Sequence, residues 1–138
     1  MANPSLKCFL IDDDIDDQKI FSIITEEVDD TIECSFANDG VDALEKLTSG
    51  NVSPDIIFLD VNMPRMDGVE CLRRIKRTEH LKNIPVFMYS TTADPNTVAI
   101  AKKLGAKEFI VKPTNITELA NLLSGIYNKE RSQIKSVG

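Results

Sequence analysis

The stretch Ile56-Ile57-Phe58-Leu59-Asp60 is a continuous apolar run that ends on a carboxylate. Unbroken β-branched and aromatic runs of this length suit a strand covered on both faces, as in a parallel sheet. Four other segments read the same way: residues 6–11, 31–36, 84–89 and 107–111, with 55–59 as the central one. Between and after them the apolar residues take helical spacing. Ile20, Ile24 and Val28 step by four. Val41, Leu44 and Leu47 step by three, as do Val69, Leu72 and Ile75, and Val98, Ala101 and Leu104. Ile116, Leu119, Ala120, Leu123, Ile126 and Tyr127 form the clearest stripe. Gly50, Gly105, Pro54, Pro85 and Pro113 stand at the joints, and Asp94 before Pro95 reads as a helix cap.

Strands alternating with helices give an α/β fold: a single doubly wound (βα)5 domain with an open parallel sheet and helices on both faces. Right-handed crossovers leave few orders, and 2-1-3-4-5, the flavodoxin-like one, is expected. The length of 138 residues fits one domain. Residues 1–128 are expected to form it, and the polar residues 129–138 a fraying tail.

The bulk properties narrow the function. No apolar run exceeds four residues, so no membrane insertion is expected, and no signal peptide is visible. Cys8, Cys34 and Cys71 are odd in number and widely spaced, which fits reduced thiols in the cytoplasm. The net charge is −6. Residues 1–30 hold nine acids against two bases, and the remaining 108 balance to +1. Such a chain is a poor nucleic-acid binder, and its acidic start asks for a cation or a basic partner.

In a sheet of this kind, function gathers where the strands end. After strand 1 come Asp12, Asp13 and Asp14; after strand 3, Asp60; strand 4 ends in Ser90, Thr91 and Thr92; strand 5 ends in Lys112 and Pro113. Carboxylates crowded at one edge repel by about 4 kcal/mol per pair at 4 Å. Hard oxygen donors without His or thiolate favour Mg²⁺, with Mn²⁺ as a substitute. Lys112 adds a fixed cation and Ser90 a hydroxyl. Together they suit a phosphoryl group attached to a central carboxylate. Taken singly, each residue is ordinary: Asp14, Asp16 and Asp17 read as cap or turn residues, and His80 as solvent-facing.

Ile11-Asp12-Asp13-Asp14, the segment from Leu59-Asp60 to Asp67-Gly68, Met88-Tyr89-Ser90-Thr91 and Val111-Lys112-Pro113, in this order, resemble the receiver domain of two-component response regulators. The resemblance runs from about Lys7 to Tyr127. It implies that Asp60 is the phosphoacceptor. It implies that Asp13, Asp60 and the carbonyl of Asn62 hold Mg²⁺, with Asp12 acting through water. Ser90 becomes the switch hydroxyl, Lys112 the partner of the phosphoryl oxygens, and Phe109 the switch aromatic. The Lys112–Pro113 bond is then expected to be cis. The implied donor is a histidine kinase or histidine phosphotransfer protein. The implied output is a protein partner docking on the helix 4–strand 5–helix 5 face, or a homodimer through that face. Lys102, Lys103 and Lys107 read first as a solvated face and second as charge offered to an acidic partner. The chain departs from the usual pattern at Ser90 (commonly Thr), Thr91 (commonly small), Phe109 (no hydroxyl) and Thr114 (commonly larger and apolar).

The expected function is therefore a phosphorylation-dependent signalling module, not an enzyme with turnover. Two competitors are a small Mg²⁺-dependent phosphatase built on Asp12-x-Asp14 and a receiver-shaped scaffold that is never phosphorylated. An EF-hand reading of Asp12-x-Asp14-x-Asp16 fails, since Asp17 stands where Gly is required and Ile23 where the closing acid belongs.

Overall fold

The computed structural model describes residues 6–137. Five strands, β1 (Lys7–Ile11), β2 (Glu33–Ala37), β3 (Ile56–Leu59), β4 (Val86–Ser90) and β5 (Glu108–Val111), alternate with five helices. The helices are α1 (Ile15–Val28), α2 (Gly40–Thr48), α3 (Gly68–Arg77), α4 (Pro95–Leu104) and α5 (Ile116–Val137). The strands pair in parallel in the order β2-β1-β3-β4-β5, the expected topology. Strand starts lie one or two residues later than their apolar runs begin. Pro85, for example, lies outside the β4 ladder although its carbonyl still accepts from Ile57.

All residues of β3 are buried, as a central strand between two helical layers must be. Its alternate side chains feed two cores. Ile56 and Phe58 join Leu10, Phe21, Phe87, Tyr89, Leu123 and Tyr127 on one face. Ile57 and Leu59 join Phe9, Ile11, Leu47, Leu72, Ile75 and Met88 on the other. Phe58 meets Phe21 edge-on at 5.1 Å and stacks near Phe87 at 5.4 Å between ring centroids.

The helix starts are capped by side chains that the sequence supplies. Asp14, Asp39, Asp67 and Asp94 each accept from backbone N–H groups of the following first turn. Gly105 ends α4 with φ 105°, a left-handed conformation that favours glycine.

Three expectations are corrected. In α1 the inward face is Phe21, Ile24 and Thr25, while Ile20 is 45% exposed, because the helix sits one position round from the four-residue step. Ile116, placed in the final stripe, is likewise 61% exposed. The final helix does not stop near Lys129 but continues to Val137. Its added turns have partners: Glu130 is buried against Lys107, and Arg131 pairs with Asp29. Lys107, read as part of a solvated face or as charge for an acidic partner, donates to Glu130 and Gln133. Gly138 lies outside the described residues.

None of the three cysteines is in a disulfide. No helix among the described residues is long and apolar enough to cross a membrane.

Candidate functional site

The parallel ladder brings the ends of β1, β3, β4 and β5 to one edge of the sheet. Backbone pairing carries two carboxylates slightly past the ladder. The Asp12 N–H donates to the Ala37 carbonyl at 3.0 Å, and the Asp60 N–H to the Ile11 carbonyl at 2.9 Å. Asp12 is fully buried and Asp60 is 6% exposed, so both are held by their strands rather than by solvent. Asp13, one residue on, is exposed. Carboxylate oxygens of Asp12, Asp13 and Asp60 lie within 4.8 Å of one another, a spacing that can hold a metal ion.

Lys112 closes the group from β5. Its backbone N–H donates to the Ser90 carbonyl at 2.7 Å, which fixes where the side chain departs. Its ammonium donates to Asp12 Oδ2 at 2.8 Å, Asp17 Oδ2 at 2.8 Å and Asp60 Oδ2 at 3.3 Å. The Nζ also stands 5.4 Å from the centroid of the Tyr89 ring. No peptide bond among the described residues is cis, so Lys112–Pro113 is trans, contrary to expectation. Trans is the ordinary preference of such bonds, and the long lysine side chain reaches all three acids from it. Ser90, the last residue of β4, is 1% exposed beside these groups in the ladder.

The electrostatics follow from burial and crowding. Burial pushes the Asp12 carboxyl up to about 6, against the pull of the Lys112 hydrogen bond and the Asp14 N–H. Burial alone lowers Lys112, but its hydrogen bonds to Asp12 and Asp17 outweigh that and hold it above the ordinary lysine range. One ammonium faces three carboxylates directly, with Asp13 close by, so the group is short of positive charge.

A pH dependence follows. Asp12 binds its proton more tightly folded than unfolded, so between about pH 4 and about pH 6 its contribution to stability falls as pH rises. Asp12→Asn removes that contribution. In metal-free buffer the variant is expected to gain about 1–3 kcal/mol on wild type between pH 4 and pH 7, read by urea unfolding at each pH.

The loop between β3 and α3 carries Asn62, which is exposed. Two contacts shape this loop. Gly68 N–H donates to the Val61 carbonyl at 2.8 Å, with Gly68 packed so closely on Asp60 that no Cβ fits. Arg65 adopts φ 65°, unusual for a residue with a side chain, and its guanidinium holds Asp39 through two hydrogen bonds of 2.9 and 3.0 Å. Phe109 lies half-buried in β5, beside Met88 in register, and, like Leu104, packs against the core that includes Ala101. Lys102 and Lys103 are exposed on α4, as is His80 before β4.

The structure brings Asp12, Asp60 and Lys112 into contact and places Ser90 at the neighbouring strand end, where its carbonyl accepts from the Lys112 N–H. Asp14 is the cap it was expected to be. Asp17 is not merely a turn residue, since it binds Lys112 as closely as Asp12 does. Its signal was its position one turn before Phe21, on the helix face that meets the sheet. The Asp39–Arg65 pair, 26 residues apart, left no pattern to read.

Comparison with known proteins agrees with the fold. The family model for the response regulator receiver domain matches residues 8–124. A protein-glutamate methylesterase/protein-glutamine glutaminase of Trichodesmium erythraeum is 36% identical over 115 residues, covering 82% of this chain and 32% of that protein. Across three curated relatives, the matched stretch makes up 32%, 12% and 54% of the relative's length. Among solved structures, the phosphorylated cyanobacterial phytochrome response regulator RcpA superposes with a TM-score of 0.82 at 30% identity, covering 89% of this chain and 91% of that one. The Mn²⁺-bound form of response regulator Rcp1 superposes with a TM-score of 0.73 at 29% identity, covering 89% and 91%.

Proposed function

Because the chain belongs to the response regulator receiver family, whose general function is phosphorylation-dependent signalling, we propose that Asp60 is its phosphoacceptor. The observation that carries this reading is the convergence of Asp12 and Asp60 on the Lys112 ammonium, with Asp13 within metal-binding distance.

A carboxylate oxygen of Asp60 attacks the phosphorus of a phosphohistidine. The P–N bond breaks, the imidazole leaves with its electron pair, and an acyl phosphate forms. Lys112 already donates to Asp60 and stands ready to donate to a phosphoryl oxygen. The Ser90 hydroxyl, at the neighbouring strand end, is the donor for another. Asp12, Asp13, Asp60 and the Asn62 carbonyl would hold Mg²⁺. The hard oxygen set and the local excess of negative charge fit it, and Mn²⁺ in a similar protein supports the choice. When bound, the ion supplies charge neutralisation for the incoming phosphoryl group.

The donor is a histidine kinase or histidine phosphotransfer protein. The added charge draws Ser90 toward the phosphoryl group, and Phe109 repacks against α4. A cavity of about 360 Å³ lined by Ala93, Val98, Lys102 and Phe109 leaves room for that movement. The readout is a protein partner, or a second copy, on the α4–β5–α5 face. The chain acts stoichiometrically rather than as an enzyme with turnover, in the cytoplasm, where its thiols stay reduced.

Intact mass after incubation with acetyl phosphate tests the reading. One phosphoryl group is expected on wild type with Mg²⁺, and none without Mg²⁺ or on Asp60→Ala. Donor consumption without any adduct would favour a phosphatase instead.

A further inference from the structure

Asp17 sits outside the expected set of functional residues, yet its carboxylate accepts from Lys112 at 2.8 Å, nearer than Asp60 at 3.3 Å. Lys112 is only 11% exposed, while Asp17 is about a third exposed. Asp17 therefore stands at the rim and draws an otherwise enclosed ammonium toward itself. Its neighbour Asp16 lies in the same first turn of α1 and has the same favourable position near the helix N-terminus. Asp16 is exposed and is not among the acids that Lys112 holds. The helix position thus accounts for both acids equally, and the contact with Lys112 is particular to Asp17.

We infer that Asp17 is a positioning residue that divides Lys112 between the rim and the phosphoacceptor, setting cation affinity and phosphoryl acceptance in opposite directions. This rests on the reading of Asp60 as the phosphoacceptor. The carboxylate adds one negative charge near the metal cluster and holds Lys112 off Asp60, which it meets only at 3.3 Å, so it favours Mg²⁺. The same charge repels an anionic phosphodonor and shares the ammonium that should meet it. Neutralising Asp17 weakens the first effect and removes the second.

The test is Asp17→Asn in the whole chain, with Mg²⁺ affinity read by titration calorimetry and labelling by acetyl phosphate read at saturating Mg²⁺. The Mg²⁺ Kd is expected to rise about threefold to tenfold and the labelling rate constant to rise by a similar factor, the range of a partly screened charge pair. Asp16→Asn removes the same charge from the same turn and is expected to stay within about twofold on both. Asp17→Glu restores the charge and should return both values toward wild type. In a Lys112→Met background, Asp17→Asn should speed labelling by a smaller factor, since only the repulsion of the donor is then left to remove. A purely structural role would leave both quantities unchanged, or would raise the Kd while lowering the labelling rate constant, and either result overturns the inference. If wild type takes no phosphoryl group on Asp60, the underlying reading fails and the inference falls with it. If wild type is labelled but Asp17→Asn matches Asp16→Asn, Asp17 alone is at fault.

Discussion

Lys112→Met is expected to slow labelling by acetyl phosphate about 100-fold at saturating Mg²⁺ while tightening Mg²⁺ binding. Among the described residues the lysine is the only cation that directly contacts the acids of this edge, donating to Asp12, Asp17 and Asp60. Removing one preorganised donor to a developing anionic oxygen costs a factor on the order of 10²–10³ in comparable sites. The tighter binding has the opposite origin. In the metal-free chain the ammonium competes with a divalent ion for the same oxygens, and methionine fills the stem's volume without competing. The metal-free variant should also be less stable at neutral pH, by about 2–3 kcal/mol, because a buried carboxylate loses its partner. That deficit should shrink toward pH 5, where Asp12, already pushed up to about 6 with the lysine present, takes a proton. Stopped-time mass spectrometry, calorimetry and urea unfolding at two pH values read the three parts separately. Unchanged labelling with weaker Mg²⁺ binding would place Lys112 outside the phosphoryl chemistry.

Gly68→Ala should damage the fold at the same edge. A Cβ at this position would lie 2.0 Å from the Asp60 carbonyl oxygen and 2.8 Å from the Val61 Cα, both backbone atoms that cannot swing aside. The first turn of α3 rests directly on the strand end that carries Asp60, and the Gly68 N–H is bonded to the Val61 carbonyl. Relief requires α3 to lift from the core that Cys71, Leu72 and Ile75 anchor. A loss of at least about 3 kcal/mol is expected from urea unfolding, at the upper end of overpacking costs. Gly50→Ala, with open space around it, isolates the cost of a positive φ without a clash and should lose only about 1 kcal/mol. Equal effects at the two glycines would mean that close packing of α3 on Asp60 does not shape the site.

Much of the architecture was legible because strand and helix periods alternate cleanly. A run such as Ile56–Leu59, short and rich in β-branched and aromatic residues, suits a strand covered on both faces, and four of the helices begin on Asp residues that cap them. The chemistry was legible for a related reason: residues that follow parallel strands must share an edge, so Asp12, Asp60, Ser90 and Lys112 could be grouped before any contact was known. What the sequence hid lies in contacts between distant segments. Asp17 and Lys112 are 95 positions apart, and only the direction of α1 over the sheet brings them together. Residues 129–137 look like a polar tail, but Glu130 and Arg131 find Lys107 and Asp29 across the fold, so the helix continues. Ile20 misled the reading of α1 because apolar spacing alone does not say which of two adjacent stripes faces inward; Phe21 and Thr25 do. The trans Lys112–Pro113 bond shows that an expectation carried from resemblance needs its own check against the backbone.

The measurement that tests the central claim most directly is the location of the phosphoryl group. Chain labelled with acetyl phosphate and Mg²⁺ is reduced with borohydride, which converts an aspartyl phosphate to homoserine, and is then mapped by peptide mass spectrometry. The expected result is homoserine at position 60 alone, absent when Mg²⁺ is withheld. Homoserine at Asp12, Asp13 or Asp17, or a labelled chain with Asp60 intact, would contradict the account.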